Sequence, residues 1–194
     1  MTSRILFATT IAISLTACTE QTAQPQEPPA VPMVAEPLAE TATSDILGAD
    51  GSPIGVANFI EGPNGLLLRV EIAPGGLTPG WHGLHLHQVG DCSDHGIFKL
   101  SGGHVGKVDG GHGLLNPAGP EGGDIPNIWA SADGSVGYEA FTRLTDLSTL
   151  TDANGSALLI HEAQDDHSSQ PIGGAGARVA CGVIQKLAAS RIEP

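Results

Sequence analysis

Two histidines one residue apart inside an apolar run, Trp81-His82-Gly83-Leu84-His85-Leu86-His87, constrain this chain more than any other stretch. In an extended strand successive side chains alternate between faces. His85 and His87 then point one way while Leu84 and Leu86 point the other, into an apolar core. Neutral imidazole is a general ligand for copper, zinc, iron and nickel, so the stretch is a candidate metal-binding strand. Alone, the pattern fits two half-exposed strand histidines equally well.

The rest of the domain reads as all-β. Gly 27, Pro 14 and only 4% aromatics suit short strands and tight turns more than a helical bundle. Asp50-Gly51 is a turn between Ile46-Leu47 and a strand near residues 54–60, and residues 62–65 form the next turn. Residues 66–72 form a strand, and a Gly/Pro connection over 74–80 leads to the histidine strand. Residues 90–127 have little strand character, and a loop of that length is mostly functional or disordered. Strands are expected at 128–132 and 135–141 around Asp133-Gly134, at 157–161 and at 179–185, with a loop over 143–155. Short strands, tight turns and two long loops suggest a barrel or a sandwich.

The formal net charge of −13 excludes nucleic acid and an anionic lipid surface as partners, because both need a basic footprint. Residues 1–18 read as an export signal, with Arg4 before an apolar run too short to span a bilayer. That run ends in Leu15-Thr16-Ala17-Cys18, which resembles a bacterial lipobox, implying lipidation at Cys18. Thr19 follows where an aspartate would resemble an inner-membrane retention signal, which favours the outer membrane. Residues 19–43, rich in Pro, Ala, Glu and Gln, read as a tether unable to build a core. The folded domain is expected over 44–194.

His85, His87, His104, His112, Asp124 and His161 are the remaining metal-type residues. With their surroundings the chain resembles a bacterial copper/zinc superoxide dismutase from about Leu47 to Lys186. The matching stretches are Gly83-Leu84-His85-Leu86-His87, Ser101-Gly102-Gly103-His104, His112-Gly113-Leu114-Leu115-Asn116-Pro117, Gly123-Asp124-Ile125-Pro126-Asn127, Leu159-Ile160-His161-Glu162 with Asp165-Asp166, and residues 176–184 around Arg178 and Cys181. The resemblance implies an eight-stranded Greek-key β-barrel. It implies copper on His85, His87, His104 and His161, with His104 bridging to a zinc ion held also by His112 and Asp124. Asp165 would hydrogen-bond to histidines of both metals, Arg178 would guide the superoxide anion, and Cys92–Cys181 would be a disulfide, as an exported chain permits. The implied reaction converts superoxide to dioxygen and hydrogen peroxide by alternating copper reduction and oxidation. His104 would act in it as ligand and proton carrier. The implied setting is the periplasm, with membrane contact through the lipid alone and a homodimer left open.

One departure stands out. The family places a third zinc histidine three residues before the aspartate; here Pro120-Glu121-Gly122-Gly123-Asp124 puts Glu121 there. Either Glu121 ligates zinc through oxygen, or zinc is weakly held or absent. His82 reads as structural, His95 and His167 as surface residues, and Trp81 and Trp129 as packing or an interface. The chain's acidity also means that bulk attraction cannot deliver an anion, so capture depends on a local field at copper and Arg178. The alternative reading is a catalytically silent copper-binding or copper-buffering lipoprotein on the same barrel.

Overall fold

The computed structural model describes residues 40–188. The expected leader, Cys18 and most of the expected tether lie outside them. Eight strands follow in order: β1 (Glu40–Gly48), β2 (Pro53–Gly62), β3 (Gly65–Ile72), β4 (Gly80–His87), β5 (Asp124–Ala130), β6 (Val136–Thr142), β7 (Ser156–His161) and β8 (Arg178–Lys186). They form one antiparallel sheet in the order β5-β4-β7-β8-β1-β2-β3-β6. The two ends of that order meet: the Tyr138 hydroxyl on β6 donates to the Pro126 carbonyl on β5 (2.8 Å). The sheet is thereby a barrel, as expected.

Period-two patterning builds the interior. Leu66, Leu68, Val70 and Ile72 of β3 are buried, and Arg69 and Glu71 between them face solvent. Ile46, Phe59, Leu84, Leu86, Ile125 and Leu158 fill the same core. The β5–β6 turn follows from its residues. Gly134 takes a left-handed φ of 81°, and the Asp133 carboxylate accepts from the Ser135 amide (3.0 Å) and hydroxyl (2.7 Å).

β7 is buried on both faces. Leu158 joins the main core, whereas Leu159 joins a second cluster with Cys92, Phe98, Ala157 and Cys181. The Cys92–Cys181 disulfide is present (Cα–Cα 5.8 Å) and pins the loop after β4 over the outside of β7 and β8.

Three boundaries differ from expectation. β1 begins at Glu40, inside the expected tether, because Ala42 and Ser44 pack inward and Lys186 of β8 bonds Glu40 (2.8 Å). β5 begins at Asp124 and not near Ile128. Pro126 falls in a bulge between the Leu84–Ile125 and His82–Ile128 pairs, where no ladder N–H is required. The expected loop 143–155 contains a one-turn helix α1 (Leu147–Leu150), capped by Asp146 accepting from the Thr149 amide (2.8 Å). Among the described residues, no helix is long and apolar enough to cross a membrane.

Candidate metal centre

The ladder assembles the histidines. β4 carries His85 and His87 on the face opposite Leu84 and Leu86, all four buried. His161 ends β7 next to a bulge and pairs with Arg178 of β8, Asp124 pairs with His85 across β4–β5, and a lone bridge ties His87 to His104. Bulges beside functional sites re-aim side chains. Ring centroids lie 4.3 Å apart for His85–His104, 5.1 Å for His87–His104 and 4.9 Å for His85–His161.

Each of these four rings has one nitrogen engaged. His85 Nε2 bonds Asp165 (2.8 Å), His87 Nδ1 the Gly102 carbonyl (2.9 Å) and His161 Nδ1 the Gly176 carbonyl (3.0 Å). His104 Nδ1 faces Asp124 (3.1 Å) and Glu121 (2.8 Å). The other nitrogen of each, His85 Nδ1 and Nε2 of His87, His104 and His161, is buried without a hydrogen-bond partner among the described residues. An unpaired buried polar atom costs about 1–3 kcal/mol, so four on neighbouring rings fit a Lewis-acidic ion. Burial also disfavours charge on His85, His87 and His161. It holds His85 near about 4, His161 near about 3 and His87 well below the ordinary value. His85, His87 and His161 are therefore neutral at pH 7 with a lone pair free, the form a metal requires.

Next to this cluster lies a second. One ligand atom each from His85, His104, His112 and Asp124 fall within 4.8 Å of one another, as do those of His85, His87 and His161. His85 Nε2 is already taken by Asp165, so the second cluster centres on His104, His112 and Asp124. Asp124 Oδ2 accepts from the amides of Gly113 (2.8 Å) and Glu121 (2.9 Å), which leaves Oδ1 toward His104 and His112 Nδ1 (2.9 Å). Glu121 repeats that pattern: Oε1 accepts from the Val108 amide (3.0 Å), and Oε2 faces His104. Burial favours a neutral His112, but the hydrogen bonds it donates to Asp124 and Asp165 prevail and raise it to about 10. The metal-free cluster therefore holds a proton that a dication would displace.

Asp165 joins the clusters, with Oδ2 on His85 and Oδ1 on His112 (3.2 Å). Asn127, quoted in the sequence but given no role there, clamps its backbone: Nδ2 donates to Asp165 O (2.8 Å) and Oδ1 accepts from Asp165 N (2.9 Å). Gly173 has a left-handed φ of 60°, and a Cβ there would collide with the Asp165 carboxylate.

Arg178 reaches over the disulfide loop, donating to Phe98 O (2.6 Å), Ser101 Oγ (3.1 Å) and Gly102 O (2.8 Å). His82 is structural, its nitrogens facing the carbonyls of His161 (2.6 Å) and Thr78 (2.7 Å). His95 is exposed, as expected. His167 is not a free surface residue: it is half-buried, with Nε2 on Asn127 (3.2 Å) and Nδ1 3.6 Å from Asp165. Trp81 and Trp129 pack edge to face (5.1 Å) and each remains about half exposed.

Residues 54–184 match the family model described as copper/zinc superoxide dismutase. A superoxide dismutase [Cu-Zn] from Caulobacter vibrioides is 46% identical over 152 residues, spanning 75% of this chain and 86% of that protein. A SOD-like protein from Bacillus subtilis, solved as a double mutant, is 33% identical with a TM-score of 0.65, covering 73% of this chain and 95% of that one. The copper/zinc superoxide dismutase of Brucella abortus superposes with a TM-score of 0.62 at 29% identity, covering 75% of this chain and 100% of that one.

Proposed function

This chain belongs to the copper/zinc superoxide dismutase family, and we propose that it converts superoxide to dioxygen and hydrogen peroxide. The observation that carries the reading is the set of four unpartnered ring nitrogens, drawn from β4, β7 and the loop between β4 and β5, on adjacent rings with centroids 4.3 Å (His85–His104), 4.9 Å (His85–His161) and 5.1 Å (His87–His104) apart. His85 Nδ1 and Nε2 of His87, His104 and His161 are the copper donors. A copper ion held there would supply the one-electron redox chemistry by which one superoxide is oxidised to dioxygen and a second, with two protons, is reduced to hydrogen peroxide.

The protein's own groups do the rest. Carbonyls and Asp165 fix the ring orientations from behind, so little rearrangement accompanies a change in ion charge. His104 presents Nδ1 to the carboxylates and Nε2 to the copper donors, so Nε2 is the atom that takes up and releases a proton. Arg178 adds a permanent positive charge in a fixed fork. In a chain of net charge −13, that local field is what attracts an anion. The geometry favours the enzyme over a silent copper store, because both the four donors and Arg178 are in place. The deciding experiment measures superoxide dismutation with copper and zinc quantified on the same sample. Activity proportional to copper content is expected, and a fully copper-loaded but inactive protein would leave the silent reading.

Glu121 supplies the fourth donor of a zinc site completed by His104, His112 and Asp124. Its Oε2, 2.8 Å from His104 Nδ1, supports this, and carboxylates are accepted zinc ligands. A second carboxylate lowers the charge of the site and suits harder cations, so zinc is held less tightly than by three histidines. Glu121→Ala is expected to lower zinc retained after dialysis against a chelator, and Glu121→His to raise it. Equal retention by all three proteins would remove Glu121 from the site.

Export of the chain to the periplasm and its tethering to the outer membrane through a lipid on Cys18 belong to the same proposal. They rest on the leader residues Leu15-Thr16-Ala17-Cys18.

A further inference from the structure

Arg178 and His87 share contacts. The Gly102 carbonyl accepts from Arg178 Nη2 (2.8 Å) and from His87 Nδ1 (2.9 Å). One side chain among the described residues does the same. Ser101 closes a single 3-10 turn, Lys99–Ser101, and is fully buried. Its hydroxyl donates to the Phe98 carbonyl (2.7 Å). The oxygen lone pairs are thereby left to Arg178 Nη1 (3.1 Å) and, at longer range, His87 Nδ1 (3.3 Å).

The turn is built to hold that oxygen still. Phe98 adopts a left-handed φ of 51°, uncommon for a bulky residue and sustained only where its surroundings over-determine it. Those surroundings are the buried cluster with Cys92 and Cys181, and the Asp94 carbonyl, which accepts from the Phe98 amide (2.9 Å). Three of the five guanidinium N–H groups are taken by Phe98, Ser101 and Gly102. Nε and one N–H of Nη2 have no protein partner among the described residues and can receive an anion.

We propose that Ser101 is a positioning residue that registers the Arg178 guanidinium against the copper ligand His87, and so sets where an incoming anion is held. The inference rests on the copper reading above, which its test can separate. Azide, a small anion that binds copper(II), is titrated by its charge-transfer absorption into the copper-loaded parent, Ser101→Ala, Arg178→Ala and the double variant, all matched for copper content. Ser101→Ala is expected to weaken azide binding by about 3- to 10-fold, the effect of one ordinary hydrogen bond. In the Arg178→Ala background the same change is expected to add less than about twofold, because groups acting through one another are not additive. The copper(II) electron paramagnetic resonance spectrum of Ser101→Ala is expected to shift through His87. Ser101→Thr keeps the oxygen and is expected to bind azide within about twofold of the parent.

Additive losses, an unchanged affinity in Ser101→Ala, or a threonine variant as weak as the alanine one would overturn the proposal. If the parent fails to dismutate superoxide while the azide pattern holds, the activity is lost and the positioning role stands.

Discussion

Replacing His161 with alanine is expected to remove copper and activity together. His161 brings its unpartnered Nε2 from β7, and its ring lies beside His85 and within 6.4 Å of His87. No other donor on β7 can take its place, since the strand is otherwise Ser156 and apolar residues. Losing even an outer hydrogen-bond partner of a ligand typically costs about 10- to 100-fold, so losing a ligand atom is expected to cost more than about 100-fold in copper affinity. The measurement is copper per chain after dialysis, with dismutation on the same sample. Zinc retention serves as the internal control, because His104, His112, Asp124 and Glu121 are untouched. A variant that keeps parental copper and turnover would remove His161 from the centre.

Removing the disulfide has the second large effect, this time on stability. Cys92 and Cys181 are 89 residues apart, and closing a loop of that length constrains the unfolded chain by about 4–5 kcal/mol in the chain-entropy model. Cys92→Ala/Cys181→Ala is therefore expected to lower the Tm of the metal-free domain by roughly 8–20 °C at about 2–4 °C per kcal/mol. Activity should fall beyond what the lost stability explains, because the pinned loop carries all three acceptors that hold Arg178. A Tm within about 2 °C of the parent would show that the loop is held by Phe98 and its neighbours instead.

The parts legible in the sequence were those with a short period or a distinctive residue type. Alternation over Leu84–His87 announced a strand with one metal face and one core face. The scattered histidines and aspartates matched a known spacing. What stayed hidden depended on contacts between distant segments. Asp124-Ile125-Pro126 resembles a loop because Pro126 reads as a breaker, and only pairing with β4 shows that the proline falls at a bulge. His167 looks like a surface residue until the fold packs it beside Asn127 and Asp165. Ser101 carries no local signal, because its partners Arg178 and His87 lie 77 and 14 residues away.

Asp165 has a consequence for how the centre fills. One carboxylate holds His85 of the first cluster with one oxygen and His112 of the second with the other, on a backbone that Asn127 immobilises. An ion that stiffens either histidine stiffens the carboxylate for both. By thermodynamic reciprocity, whatever the first ion adds to the affinity for the second, the second returns to the first. With a favourable coupling, scarcity of one metal is expected to deplete the other as well.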